Sequence, residues 1–416
     1  MLPKVLHGSN KKAIVSMLLC AFIECYDFLV YGNFGRIFGK MFFSQVNSES
    51  LSLILSFMTF GIAFFVRPFG SLMFGYIGDK YGRKISLFIS AALLILSVGG
   101  VAFLPLVDSI GLLAPILLVL LRTLQGLSFG GEVGVIVLIA ENVKKEQVPM
   151  VLSLHFAIAI LGGAVGSFTF KLCYNLIPEA QFYSWGWRIP FIVGLMMSIF
   201  LPLLRHSIEE SRQYLDYMSG KKVPRVPVLD IILHHKKICI MICSLIGSSN
   251  ILFYMFFVFL NIQQQVSMVI YSLLILAVLV SGFISCLSFR VYKPESVSLV
   301  IHVLFFTCVV PVLCFLGFNS VISYFVLAIL LGLYATPILS MLVFLFPVNI
   351  RQTGFSVCYS IAVAIFGGTT PIICLWLIEI TQLDISPIFY LSFCVSLSLL
   401  NLLFLKKYKY GKVLCV

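Results

Sequence analysis

Charge is what this sequence has least of. Asp, Glu, Lys and Arg make up 11% of its 416 residues, where an ordinary soluble domain carries about a quarter. With so few charges to solvate a surface, and 61% hydrophobic residues, a soluble or disordered chain is excluded and an integral membrane protein is indicated. Acids are scarcer than bases, 16 against 28. No Lys/Arg-rich tail with interleaved aromatics exists, however, so the net charge of +12 does not point to nucleic acid. Grouped metal ligands are also missing. The twelve cysteines stand singly in apolar runs, as Cys20, Cys308 and Cys394 do. The closest pair, Cys239 and Cys243, has no His or acid beside it, so cysteine reads as a small apolar filler. No nucleophile–base or metal-ligand constellation supports an enzyme, and no prosthetic cofactor is expected. No small-residue cleavage site follows "MLPKVLHGSNKKAIVSMLLC", so the first apolar segment reads as a retained span and not a signal peptide.

What the chain does have is long apolar runs. A bilayer core takes about 20 apolar residues in a helix. On that basis spans are expected at 13–35, 51–77, 86–106, 111–140, 149–174 and 187–205, then at 238–261, 266–289, 297–317, 321–346, 352–379 and 386–405. The basic residues test this count. If both termini face the cytoplasm, that side holds Lys4, Lys11 and Lys12, the loop bases Lys80, Arg83 and Lys84, and Lys144 and Lys145. It also holds the bases from Arg205 to Lys237, Arg290, Lys293, Arg351 and the terminal lysines from Lys406 onward. The opposite side receives Arg36, Lys40, Lys171 and Arg188, which leaves Arg67 and Arg122 in the membrane. This asymmetry satisfies the positive-inside rule with an even number of spans. The expected fold is all-α, with a six-helix bundle over residues 1–205, a central cytoplasmic loop over 206–237 and a second six-helix bundle over 238–416. Pro224, Pro227 and mixed charges fit that loop to an exposed linker with a short surface helix. Six spans, a loop and six spans is the plan of many secondary transporters.

Ionisable residues at membrane depth are costly, and so are functional candidates by default. "ECYDFLVYG" (24–32) sets Glu24 and Asp27 on one helix face within the first span. Arg67, Arg122 and Glu132 complete the deep charges, all in the first half, while the second half offers little beyond His302 and the terminal Glu379. Burial disfavours a charged carboxylate and a nearby arginine favours it. A carboxylate alternating between those settings loads and releases a proton near neutral pH. Asp27 and Glu132 are the leading candidates for such a relay, with Arg67 or Arg122 as modulating partners. A static ion network joining spans one, two and four fits the same residues, and for Glu24 it is the favoured reading.

The turn after span two, "FGYIGDKYGRKISL" (74–87), combines Gly75, Gly78 and Gly82 with Asp79, Lys80, Arg83 and Lys84. Glycine permits a tight turn, and Asp79 can accept from Arg83. This pattern resembles the signature loop of the major facilitator superfamily, where the resemblance implies a latch that stabilises the outward-facing state. "ECYDFLVYG", "VRPFGSLMFGYIGDKYGRK" (66–84), "RTLQGLSFGGE" (122–132), "WGWRIPF" (185–191), "LRHSIEES" (204–211) and "FPVNIRQTGFSVCYSIAVAIFGGTTP" (346–371) follow in order. Together they resemble the metabolite:proton symporter family, which includes the proline/betaine, α-ketoglutarate, shikimate and citrate transporters. There are departures. Cys25 stands where the first motif has an aromatic, and in the second-half loop, "SCLSFRVYKPES" (285–296), Phe289 and Tyr292 stand where an acid and a glycine are expected. That latch reads as degenerated. The chain ends eleven residues after Leu405, without the long coiled coil of some proline/betaine transporters, so no osmotic sensing through such a tail is expected.

Several further residues carry expectations. Arg122 and Gln125 lie one turn apart, and Arg122 suits a bidentate contact to a substrate carboxylate. Small residues in "GLSFGGE" favour close helix packing and leave cavity room beside Glu132. Tyr26, Tyr31 and Tyr254 suit a cation–π cage for a quaternary ammonium, with Asn250 one turn from Tyr254. "WGWR" (185–188) reads as an interfacial aromatic belt with a snorkelling arginine. His302 reads as a hydrogen-bonded span residue, and Gly367, Gly368 and Pro371 as a bend. The expected function is proton-coupled uptake of a small carboxylated metabolite or osmolyte near the bilayer midplane between the halves, most of all one like proline or betaine. A dicarboxylate symporter or exchanger and a non-transporting paralogue are the alternatives. The expected setting is a functional monomer, multi-pass in a bacterial inner membrane, with the proton as its only coupling ion.

Overall fold

The computed structural model describes residues 9–44, 49–206, 208–219, 231, 234–259, 268–317 and 320–413. Among them are twelve helices long and apolar enough to cross a membrane. We number them α1 (Lys12–Asn33), α2 (Ile54–Tyr81), α3 (Arg83–Ala102), α4 (Leu113–Asn142), α5 (Val148–Leu176), α6 (Glu179–His206), α7 (Lys236–Phe259), α8 (Val269–Ser288), α9 (Pro294–Leu316), α10 (Val321–Leu342), α11 (Val348–Thr381) and α12 (Ser386–Leu405). Helix is the form that satisfies every backbone amide within one segment where water is absent. Each span matches an expected one to within a few residues except α6, which starts at Glu179 and not at 187.

Local sequence sets the boundaries. Gly82, with φ of 117°, is the one non-helical residue between α2 and α3, a conformation that side chains with a Cβ rarely adopt. Ser320 caps α10 by accepting from the Ile322 amide, and Pro294 sits in the first turn of α9, where its missing N–H costs nothing. The expected bend in α11 falls on a π-helical turn, Val363–Gly367, followed by Pro371 inside the helix. A short surface helix, Arg212–Met218, occupies part of the central loop and is capped by Ser211.

The chain forms two compact units. One comprises Met1–Asn142 and Ile158–Val223, the other Val143–Ala157 and Pro224–Val416, so the first turns of α5 belong to the second unit. In the first unit an aromatic core joins α1, the helix Gly35–Phe42, α3, α4 and α6 through Tyr31, Phe34, Phe38, Trp187 and Phe191. Trp187 is fully buried there, edge-on to Phe38 and Phe42 at 5.8 Å, with the Arg188 guanidinium 4.5 Å from its ring. The expectation of an interfacial belt therefore fails for Trp187. Because α6 begins two turns earlier, this ring lies inside the bundle and only Trp185 is exposed.

The glycines of "GLSFGGE" bring α4 against α2. A Cβ on Gly126 would stand 2.6 Å from the Ala63 carbonyl oxygen, and one on Gly130 would collide with the backbone of Arg67 and Ser71. Ser71 donates to the Gly130 carbonyl across this contact at 3.0 Å. The expected close packing is present. A Cβ on Gly131 would meet Ser90 and Phe74, so this glycine too sits in a close contact.

Candidate functional site

The deep charges of the first unit separate into two networks, and α1 supplies one acid to each. Asp27 is 1% exposed and accepts from the Gln125 Nε2 amide, while Gln125 Oε1 in turn accepts from Arg122 Nη1. The i,i+3 spacing on α4 aligns Arg122 and Gln125 as one arm. The Arg122 guanidinium lies 3.6 Å from the centroid of the Tyr31 ring and 5.9 Å from that of Phe60. Tyr31 shares a 2.8 Å hydrogen bond with Thr59 of α2, which holds the ring flat beneath the cation. Arg122 is fully buried, yet its Nε and Nη2 have no hydrogen-bond partner. A buried guanidinium with free donors is costly unless a ligand meets them.

Glu24 belongs elsewhere. Arg205 of α6, fully buried, contacts Glu132 of α4 through Nη2, and the same atom lies 3.3 Å from Glu24 Oε1. Ser90 of α3 donates to Glu132 Oε1 at 2.9 Å, and Arg205 Nη1 reaches the Leu87 carbonyl and, at 3.2 Å, the Ser90 hydroxyl. The expected partners of Glu132, Arg67 or Arg122, are thus corrected to Arg205. Arg205 also leaves the cytoplasmic tally and becomes a span residue. Arg67 is half-buried on α2 with its guanidinium 5.9 Å from the Phe129 ring. Two acids three residues apart on α1 point to different arginines because that spacing turns them by about 60° around the helix.

The signature turn forms a third network, at the α2–α3 end of the same unit. Arg83 pairs with Asp79, donates to the Gly78 carbonyl at 3.0 Å and lies 3.5 Å from Glu141 of α4. The Tyr214 ring covers its guanidinium at 4.9 Å. Burial raises the Tyr214 phenol above its ordinary range, so it stays neutral over the cation. Glu210 accepts from the Lys84 amide at 3.1 Å and sits against Gly82, where a Cβ would clash with it. Lys84 Nζ donates to the His206 carbonyl at 2.9 Å, Lys80 projects outward to the Tyr76 hydroxyl at 2.7 Å, and Gly75 is buried in α2. The turn therefore ties α2, α3 and α4 to the segment after α6. Glu141, Glu210 and Tyr214 had no signal in the loop sequence, since all three lie far along the chain.

The remaining candidates are placed as follows. The Tyr26 hydroxyl donates to the Pro190 carbonyl at 3.0 Å, and its ring packs on Gly194, so Tyr26 joins α1 to α6. In the second unit Asn250 donates back to the Ile246 carbonyl at 2.8 Å. Tyr254 is buried with its ring in the space left by Gly367 of α11. His302 bonds the Ser298 carbonyl at 2.7 Å, the Tyr334 hydroxyl at 2.9 Å and Ser398 at 3.1 Å, and Tyr334 meets Ser248 at 2.8 Å. This neutral network joins α7, α9, α10 and α12.

Comparison with known proteins matches this architecture. The family described as "Sugar (and other) transporter" matches residues 13–225. The glycine betaine/proline/ectoine/pipecolic acid transporter OusA of Dickeya dadantii is 30% identical over 96% of this chain and 84% of its own. The proline/betaine transporter of Escherichia coli K12 is 29% identical over 95% of this chain and 83% of its own. Among solved structures, the proton:xylose symporter XylE, a major facilitator superfamily protein, superposes with a TM-score of 0.77 at 16% identity over 95% of both chains.

Proposed function

Because the chain belongs to the sugar (and other) transporter family of the major facilitator superfamily, we propose that it takes up a zwitterionic carboxylate such as proline or glycine betaine together with a proton. The observation that carries this reading is the chain Asp27–Gln125–Arg122, in which a buried carboxylate and a buried guanidinium with two free donors are joined by one amide. With Asp27 ionised, the chain is neutral and Arg122 is balanced. Protonation of Asp27 removes that balance and leaves a desolvated cation, which a substrate carboxylate restores through Nε and Nη2. Proton and substrate then favour each other's binding, and this reciprocity is what symport requires.

The aromatic part of the reading is narrower. Arg122 occupies one face of Tyr31, so that face serves the arginine and not the substrate ammonium. The names of the curated relatives support a proline- or betaine-like substrate. We further propose that the protein works as a monomer in the bacterial inner membrane with both termini in the cytoplasm, that it needs no cofactor and uses the proton as its coupling ion, and that the Asp79–Arg83 turn acts as a latch. Proteoliposome uptake of labelled proline, glycine betaine, α-ketoglutarate and citrate, with and without an imposed pH gradient, tests the reading. Gradient-dependent uptake of proline or betaine is expected. Uptake indifferent to the gradient removes the symport claim, and uptake of the dicarboxylates alone removes the substrate claim.

A further inference from the structure

A buried acid, Glu132, and a half-buried one, Glu24, share one arginine in the first unit, and that ratio has a chemical consequence. Glu24 is 15% exposed at its side chain and Glu132 2%, while Arg205 has no exposure. Both carboxyl groups meet the same atom, Arg205 Nη2, Glu132 in direct contact and Glu24 at 3.3 Å. Two ionised carboxylates beside one guanidinium would leave a net negative charge out of water, which burial strongly opposes. The other groups facing the pair are the Cys20 thiol of α1, the Ser90 hydroxyl of α3 and the Leu87 carbonyl, and none of them supplies a second positive charge.

We infer that Glu24 and Glu132 form a one-proton carboxyl–carboxylate pair positioned by Arg205, a second proton-binding site of this unit beside Asp27. Glu132 is the ionised partner, since it takes the direct Arg205 contact and the Ser90 donor. Glu24 holds the proton, being farther from the guanidinium. Arg205 is a positioning residue, and it decides which acid keeps its charge.

The role of this pair in transport rests on the proton-coupled reading above, but its protonation does not, and the test separates the two. The C=O stretching band of a protonated carboxyl is measured by infrared difference spectroscopy on the purified full-length protein across a pH titration. Asp27→Asn serves as the background, so that Asp27 contributes nothing. The band is expected in that background, and Glu24→Gln and Glu132→Gln are each expected to abolish it, because either change leaves one carboxylate alone with Arg205. Persistence of the band in either variant means an independently protonated acid and overturns the pair. Absence of the band from the background also overturns it. Arg205→Lys is expected to shift the titration midpoint by about one pH unit, a tenfold change in proton affinity. A midpoint unmoved by that change removes Arg205 as the positioning residue. Failure of gradient-driven uptake in the native protein, with the band behaving as expected, would count against symport and leave the pair standing.

Discussion

The interiors of the two units answer the same structural problem with different chemistry. In the first, three networks between spans carry charge: Asp27 to Arg122 through Gln125, Glu24 and Glu132 to Arg205, and Asp79 and Glu141 to Arg83. In the second, the contact joining α7, α9, α10 and α12 is made by neutral groups, His302, Tyr334, Ser248 and Ser398. A neutral network satisfies buried donors without creating charge to compensate, and it has nothing to gain or lose when a substrate carboxylate arrives. An ionic one is bistable, because removing or adding one charge leaves another uncompensated. On the proposed reading, proton chemistry belongs to the first unit and scaffolding to the second.

The sharpest way to break that contrast is to remove Arg205. Arg205→Met leaves Glu132 buried without its counter-ion, and a loss of about 3–5 kcal/mol is expected. Thermal unfolding in detergent reads this as a clear fall in midpoint, and Arg205→Met with Glu132→Gln should recover most of it. A single variant that melts like the native protein would show that the acids are not held by this arginine. Next in size is Arg122→Lys. Lysine keeps the charge but loses the planar fork, so KM for proline or betaine should rise about 10- to 100-fold, the equivalent of roughly 1.5–3 kcal/mol of charge-assisted hydrogen bonding. An unchanged KM would detach Arg122 from the substrate.

The smallest effect is expected in the second unit. His302→Gln keeps a polar side chain but cannot reproduce the ring's geometry between Ser298, Tyr334 and Ser398, and should cost about 1–2 kcal/mol of stability. The pH profile of transport should stay where it was. A profile displaced by this substitution would mean that the second unit titrates too, and the contrast between the units would fall.

The sequence made some of this legible and hid the rest for definite reasons. Hydropathy located the spans because a bilayer demands about 20 apolar residues per helix. Asp79 and Arg83 were legible as a pair because they lie one turn apart. The Arg122–Gln125 arm was legible for the same reason, but its partner Asp27 lies 98 residues from Gln125, and no local pattern reports such a distance. Arg205 was hidden by its neighbours. It precedes "HSIEES", so it reads as the first residue of a polar linker. It closed the expected span 187–205, but its partners Glu24 and Glu132 lie 181 and 73 residues away, and no local pattern joins them. Trp187 was misread because α6 begins at Glu179 and not at 187.

The central claim is that Asp27 takes up the proton that accompanies substrate. Proteoliposomes without an imposed gradient, holding a pH-sensitive dye in the external medium, test it directly when proline or glycine betaine is added. The native protein should make the medium more alkaline as substrate enters, and Asp27→Asn should abolish that signal while still exchanging labelled for unlabelled substrate. A proton signal of native size from Asp27→Asn would contradict the account.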